Sequence, residues 1–177
     1  GEPLRVSVRI DVADTDAAAV TLAPASGTWA DAVVVEIVPS ERETALSRGL
    51  AVGRPDQPHA TIGRERMAGS LWRFPADAMQ RLAPGSYRLR ATLNVTDGPG
   101  WKGTVVSEWV PLTVIAASSA PERAGLKALA LARDALLEGE TERAARLLDV
   151  ELTRDPKQFR LLLLRAAVAE RGGNLLA

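Results

Sequence analysis

The sequence predicts an all-β segment followed by an α-helical one: an antiparallel β-sandwich, then a C-terminal helical hairpin and one further helix. Two observations support this prediction. Over the first two thirds of the 177 residues, apolar and polar residues alternate in short runs separated by turn residues. Beyond Pro121 the spacing of apolar residues changes from two to about 3.6, the helical period. We therefore expect two domains, at residues 1–117 and 118–177.

The strands are predicted from alternation. The clearest run is 4–12, where apolar residues alternate with polar ones, as in a strand with one buried face. Short strands between turns at this spacing are typical of a sandwich. A helical turn is predicted at 75–82, with Met79 and Leu82 closing the core. The seven predicted strands are 4–12, 19–23, 31–38, 59–63, 68–74, 85–95 and 103–115.

The run LAPGSYRLRATLNV, at residues 82–95, carries the most specific β signal. Tyr87 follows a Pro84–Gly85 turn and begins an alternating strand. This resembles the sixth strand of immunoglobulin-like domains, in which a tyrosine hydroxyl bonds back to the incoming turn. The cysteine pair of that family is missing. The resemblance implies an immunoglobulin-like sandwich with binding loops at its ends.

The four tryptophans are candidate anchors for a partner or core residues. Trp101 lies between glycines in the loop TDGPGWKG, where it either anchors a ligand or folds back over the sandwich edge. For Trp29, Trp72 and Trp109, which lie on or beside predicted strands, we expect core packing.

Three helices are predicted after Pro121. The first continues to Gly139, the second runs from Thr141, whose hydroxyl can cap it, to Arg154, and Pro156 stops it. The third follows at 157–173 and ends on a glycine pair.

The helical segment contains a weak internal repeat. A shift of 34 residues superposes Ala132 on Ala166, Ala135 on Ala169, and Gly139 on Gly173. This period and the Gly–Glu, Ala and Asp–Pro positions of the second helix resemble tetratricopeptide repeats, over about one and a half repeats at 125–177. Ala128, Ala135 and Glu151 depart from that pattern. The resemblance implies a peptide-binding face, or packing against the sandwich or the next repeat, at Leu126, Leu129, Arg133, Arg160 and Leu163.

The third helix contains four consecutive leucines at 161–164, which together cover every direction around a helix. A helix that is apolar all round must be buried on more than one side, and one and a half repeats cannot build a continuous core alone. We therefore expect Leu161, Leu162 and Leu164 to form an oligomer contact. One form of that contact is a homodimer in which two copies exchange helices.

Composition and motifs argue against several classes of protein. Lys+Arg and Asp+Glu balance at 22 each and form no basic stripe, which argues against nucleic-acid binding. The absence of cysteine excludes disulfides, thiol nucleophiles and zinc fingers. No apolar stretch approaches the ~20 residues of a membrane span. The start GEPLRVSVRI lacks the features of a secretory signal, so Gly1 is consistent with a trimmed start.

The sequence offers little for catalysis. The single histidine, His59, has no nucleophile motif around it, so a solvated side chain is expected. Asp11, Asp14 and Asp16 could supply oxygen ligands to calcium, but the EF-hand glycine and terminal glutamate are missing and a polar turn is favoured. We predict no catalytic residue, no metal and no cofactor.

We therefore expect a non-enzymatic protein–protein interaction or assembly module that belongs to a larger bacterial protein. Its partner is a protein or peptide. The alternative is a carbohydrate-binding sandwich that uses Trp101 and Trp29 as stacking platforms. An enzyme would need catalytic groups from another chain. For the compartment we favour the periplasm or the cell exterior, and the cytoplasm stays open.

Overall fold

A computed structural model describes residues 2–12, 18–42, 44–52, 58–116 and 121–172. The chain is an α+β protein with antiparallel sheets and three helices at its C-terminal end. It divides into two compact units. The β unit comprises Arg5–Phe74 and Ala83–Ile115, and the helical unit comprises Gly1–Leu4, Pro75–Leu82 and Ala116–Ala177. The predicted succession of antiparallel strands and C-terminal helices is confirmed.

The described residues form ten strands. They make a three-stranded sheet in the order β1-β7-β5, a larger sheet in the order β10-β8-β3-β4 with β9 also on β8, and the pair β2-β6. The strands are β1 (Leu4–Ile10), β2 (Val20–Leu22), β3 (Val33–Pro39), β4 (Ser47–Arg48), β5 (Leu50–Val52), β6 (Ala60–Ile62), β7 (Ala68–Phe74), β8 (Gly85–Val95), β9 (Gly103–Val106) and β10 (Val110–Val114).

The longest strand pair, β3 with β8, shows why alternation predicted these elements. Val35 lies opposite Ala91, and Ile37 lies opposite Leu89. Successive side chains of a strand point to opposite faces, so the apolar residues of both strands share one buried face. Its fully or nearly buried members are Val33, Val35, Ile37, Tyr87, Leu89, Leu93 and Val95.

The last predicted strand, 103–115, is two strands, so that prediction was wrong in one detail. The Ser107 N–H donates to the Ala91 carbonyl at 2.9 Å, but the Ala91 N–H donates to the Ser107 hydroxyl oxygen at 3.0 Å instead of a backbone carbonyl. The side chain thereby replaces the backbone acceptor and interrupts the ladder between β9 and β10.

Two short strands were not predicted. In β4 and β5 the run SRGLAV shows little alternation, and Gly49 separates the two strands. The Gly49 N–H donates to the Val35 carbonyl at 2.8 Å, while a Cβ at this glycine would lie only 3.1 Å from the Phe74 ring. Pairing with β3 and β7, rather than local periodicity, creates these strands.

The hydrogen bond expected of Tyr87 is present. The phenol hydroxyl donates to the Ala83 carbonyl at 2.8 Å, and the ring is buried at the start of β8. Between them the chain turns through Pro84 and enters the sheet. The bond therefore ties the turn to the strand.

Replacing Tyr87 with phenylalanine tests this tie. We expect the free energy of unfolding to fall by about 0.5–1.5 kcal/mol, because one net hydrogen bond is lost while the ring still fills its site. Urea unfolding followed by far-ultraviolet circular dichroism measures the change. A variant as stable as the parent chain would show that the bond does not hold the turn.

The helices follow their predicted bounds closely. A short helix, α1 (Ala76–Gln80), precedes the three C-terminal ones, which are α2 (Pro121–Leu137), α3 (Thr141–Arg154) and α4 (Phe159–Arg171). Gly139 has φ 78°, a left-handed conformation that favours glycine at the end of a helix. The Glu140 N–H then donates to the Ala135 carbonyl at 2.9 Å, which closes α2.

Thr141 does not cap α3, contrary to the prediction. The N-cap is Glu140, which makes no side-chain cap hydrogen bond, and Thr141 is already the first helical residue. The reversal at Gly139 shifts the helix start by one residue. The predicted end is confirmed, since α3 stops at Arg154 two residues before Pro156.

The core of the helical unit depends on small residues. Ala132 and Ala144 are 0% exposed and Ala135 is 1% exposed. Side chains of this size let helix axes approach closely, and larger ones fill the spaces beside them. The buried members of this core are Ala128, Leu129, Ala132, Ala135, Ala144, Leu148, Leu161 and Val168.

Candidate functional site

Helix α4 has a conventional buried face. Leu161 is 1% exposed and Val168 is 2% exposed, and Leu164 packs against the same core. These positions are three and four residues apart, so they lie on one side of the helix. One face of α4 is therefore fully used within the helical unit.

The opposite face of α4 is also apolar, and it is exposed. Phe159 is 73% exposed, Leu162 is 45% exposed and Leu163 is 62% exposed. Ala166 follows at the next helical position and is also exposed. The spacing of these four residues is that of a single helix face. We call Phe159, Leu162, Leu163, Ala166 and Ala167 the α4 patch.

Salt bridges hold α4 against α3 without involving the α4 patch. The Arg165 guanidinium donates to both carboxylate oxygens of Asp149, at 2.7 Å and 3.3 Å. A bidentate pair of this kind fixes orientation as well as distance. The pair is consistent with a rotation of α4 that packs Leu161, Leu164 and Val168 in the core and leaves the α4 patch on the opposite side.

A second ion-pair cluster closes the turn between α2 and α3. The Arg143 guanidinium donates to Glu140 at 2.7 Å and lies 3.6 Å from Glu138. The hydrogen bond that Arg143 donates to Glu140, together with the negative charge of Glu140, raises the pKa of Arg143 above its ordinary value. The Arg143 guanidinium thus links the carboxylates of Glu138 and Glu140 at this turn.

The buried glutamate of α3 is placed by a neighbouring arginine. Glu151 is 6% exposed, and its carboxylate accepts a hydrogen bond from Arg154 at 3.2 Å, one turn later. A buried carboxylate needs such a partner because desolvation penalises its charge. The ion pair with Arg154 therefore lets a glutamate occupy a buried position of α3.

The predicted peptide face on α2 is only partly available. Leu126 is 51% exposed and Arg133 is exposed, whereas Leu129 is 7% exposed and belongs to the helical core. On α4 the predicted Arg160 and Leu163 are both exposed. We therefore remove Leu129 from the binding set and keep the other four residues.

The predicted oligomer contact also changes in composition. Leu161 is buried in the core and Leu164 is half-buried against it, so only Leu162 of the three is exposed. The sequence could not show which of these leucines is buried, because four consecutive leucines cover every side of a helix. Phe159, which the prediction missed, is the most exposed large apolar residue in the described part of the chain, and its place four residues before Leu163 was the available signal.

The loop that carries Trp101 is held against β2. The Trp101 N–H donates to the Thr21 carbonyl at 2.8 Å. Cβ atoms at Gly98 or Gly100 would collide with the carbonyls of Ala23 and Thr21 respectively, so only glycine permits this approach. The Trp101 side chain is half-buried, with its ring beside Gly103.

The prediction of core packing holds for two of the three other tryptophans. Trp72 is 1% exposed and Trp29 is 4% exposed. Trp109 is 37% exposed, so its prediction was wrong. The guanidinium carbons of Arg88 and Arg90 lie 4.5 Å and 4.4 Å from the centroid of its ring.

Strand pairing explains the position of Trp109. Val110 lies opposite Leu89, which is buried, so the preceding residue falls on the outer face beside Arg90. Cationic guanidinium groups are attracted to the face of an indole ring. The alternating Arg88 and Arg90 indicated which face of β8 is exposed. The position of Trp109 on that face follows only once the pairing of β8 with β10 is known.

The predicted histidine and aspartate candidates can be placed in part. His59 is exposed, as predicted. Asp11 is exposed, whereas Asp14 and Asp16 lie outside the described residues. No group of three histidine or acidic residues that could hold a metal ion occurs among the residues that the structure describes.

One open depression occurs beside β3 and β4. The carboxylate of Glu36 in it lies 3.3 Å from Arg48 and 3.7 Å from Arg90. The carboxylate of Glu36 is therefore already engaged in ion pairs within the protein. Its lining residues are Glu36, Thr44, Ala45, Leu46, Ser47 and Arg48.

The helices of the described residues include none whose length and apolar character would let it cross a membrane. Comparison of the chain with models of protein families, with curated proteins and with solved structures gives no match.

Proposed function

We propose that the protein is a non-enzymatic interaction or assembly module, part of a larger bacterial protein, that binds a protein or peptide partner through its C-terminal helices. The observation that supports this most is the second apolar face of α4, with Phe159 at 73% and Leu163 at 62% exposure. A helix with apolar residues on opposite faces is typical of one buried on both sides.

Burial of this face would supply a sizeable driving force. Removing a phenylalanine or leucine side chain from water contributes roughly 1.5–3 kcal/mol. Large apolar residues clustered on one surface commonly mark interaction sites, whereas isolated ones do not. The α4 patch holds three large apolar side chains within two helical turns, so it is a cluster of the kind that marks interaction sites.

The exposed residues of α2 extend the proposed binding surface. Leu126 and Leu137 are 51% and 45% exposed, and Arg133 lies between them on the same side of the helix. Together with Arg160 of α4 they provide apolar contacts and positive charge. This combination suits a peptide or helix with apolar and acidic residues.

The finer fold assignments are part of the same proposal. We propose that the β unit is an immunoglobulin-like sandwich, and the hydrogen bond from Tyr87 to Ala83 supports this. We propose that the helical unit is tetratricopeptide-like. The left-handed Gly139 and the fully buried Ala144 support this second assignment.

The carbohydrate-binding alternative gains no support. Trp29 is 4% exposed, and an indole buried in this way offers no face to a sugar ring. Trp101 is half-buried with its ring beside Gly103. The proposal of a protein partner therefore has priority.

Site-specific photo-crosslinking tests the proposed function. A benzophenone amino acid replaces Leu163 in cells that produce the protein, and a second variant carries it at Val150, which is 58% exposed on α3. We expect a discrete protein adduct from position 163, identified by mass spectrometry, and little from position 150. Equal labelling from both positions, or no adduct from position 163, would argue against a binding surface on α4.

A further inference from the structure

We infer that the α4 patch is covered by α4 of a second copy of this chain, in an antiparallel and two-fold symmetric pair. This inference rests on the proposed function and names the partner of that surface. Three observations carry it: the equivalence between this surface and part of the buried face of α2, the distribution of large and small residues along α4, and an arginine and a glutamate at its ends that form no salt bridge with another described residue.

The α4 patch corresponds to a face that binds helices elsewhere in the same unit. Moved forward by 34 residues, the buried Asp134 and Ala135 of α2 fall on the buried Val168 and the half-buried Ala169, whereas the buried Ala128, Leu129 and Ala132 fall on exposed positions of α4. On α2 these residues pack in the core with Ala144 and Leu148 of α3. The correspondence places Ala128 on Leu162, Leu129 on Leu163 and Ala132 on Ala166.

The equivalence indicates the shape of the missing partner. Leucine occupies both 129 and 163, and alanine occupies both 132 and 166. On α2 this arrangement receives a helix, because the alanine leaves room for a close approach and the leucine fills the space beside it. The sizes of the side chains in the α4 patch are therefore arranged like those of a surface that packs against a helix.

The order of residue sizes on α4 fits a second α4 in the antiparallel direction. Large residues precede small ones along the patch, with Leu162 and Leu163 in its first half and Ala166 and Ala167 in its second half. A two-fold axis between positions 164 and 165 places each leucine opposite an alanine of the second copy. A parallel pair would set leucine against leucine and alanine against alanine, leaving gaps.

Charges at the two ends of the patch are consistent with this direction. Arg160 lies near its start and Glu170 near its end, and both are exposed. No salt bridge among the described helical residues involves either of them. Antiparallel pairing brings Glu170 of each copy to the Phe159–Arg160 end of the other, which allows two equivalent ion pairs.

Sedimentation velocity of the purified full chain over a range of concentrations tests the inference. We expect a reversible monomer–dimer equilibrium, because an interface of this length falls among small and dissociable ones. Leu163→Glu should weaken dimerisation at least tenfold, since it places a charge where an alanine of the second copy packs. Val150→Glu, a change of equal chemistry at an exposed position of α3, should leave dimerisation unchanged.

A charge exchange tests the direction of the pair and does not depend on Leu163. Glu170→Arg should weaken dimerisation several-fold, and the further change Arg160→Glu should restore it at least in part. Circular dichroism of each variant checks that the helices remain folded. Failure of the second change to restore dimerisation would overturn the antiparallel arrangement.

A parent chain that stays monomeric at the highest concentration would overturn the inference, as would a Leu163→Glu variant that dimerises like the parent. In that case, a photo-adduct between position 163 and a different protein would keep the proposed function and replace only its partner. Absence of both dimer and adduct would remove the binding surface itself.

Discussion

Replacing Trp72 with alanine should lower the free energy of unfolding of the β unit by about 3–5 kcal/mol. The indole lies on β7 and is 1% exposed, next to Phe74 at 0% exposure. Its neighbour on β5 is Ala51, which is too small to fill the space that the indole would leave. The loss therefore combines lost burial with a cavity that the sheet cannot close.

An exposed leucine on the neighbouring strand provides the control for Trp72. Leu50 is 56% exposed on β5, opposite Arg73, and Leu50→Ala should change stability by less than about 1 kcal/mol. Urea unfolding followed by far-ultraviolet circular dichroism compares both variants with the parent. Similar losses in the two variants would mean that Trp72 is not a central core residue.

Replacing Leu148 with alanine should destabilise the helical unit by about 2–5 kcal/mol. Leu148 is 0% exposed in the middle of α3 and belongs to the core formed with α2 and α4. Ala132 and Ala144 belong to the same core, and their side chains are too small to fill the vacated space. The cost therefore lies near that of other fully buried leucines.

The matched control for Leu148 lies two residues away on the same helix. Val150 is 58% exposed, and Val150→Ala should be neutral or slightly stabilising because alanine has the higher helix propensity. Thermal and urea unfolding, monitored by the helical circular dichroism signal, measure both changes. A loss at position 150 as large as at position 148 would contradict the assignment of the buried face of α3.

Alternation was sufficient for the strands that have one buried face. In β8 the alternate residues Tyr87, Leu89, Leu93 and Val95 are buried and only Ala91 between them is half-buried, so the pattern and the structure agree over most of its length. The same reasoning failed for β4 and β5. There, contact with β3 and β7 selects the extended conformation, and a single sequence does not contain that information.

The helices show a similar division. The change of period near Pro121, the left-handed Gly139 and the stop before Pro156 gave α2 and α3 their ends. The start of α4 was missed by two residues: the Lys157 N–H donates to the Asp155 carboxylate at 3.3 Å in the turn before the helix. Such side-chain hydrogen bonds compete with the first turn of a helix.

The sequence predicted the apolar character of α4 but not which of its leucines is buried. Four leucines in a row indicated that α4 is apolar on every side, and Leu162 and Leu163 are indeed exposed while Leu161 is buried. The sequence could not say which leucine faces inward. That choice depends on the rotation of α4, which its packing against α2 and α3 decides and with which the Arg165–Asp149 pair is consistent.

By itself, the sequence determined the antiparallel strands, the succession of three C-terminal helices and the excess of apolar surface on α4, because hydrophobic period and turn chemistry are local properties of the chain. Only the tertiary structure decided that Leu129 and Leu161 are buried, that Trp109 lies outside beneath two arginines, and that Phe159 and Leu163 remain uncovered. These outcomes depend on which distant residues fill the same space, and packing between elements is settled only when they meet.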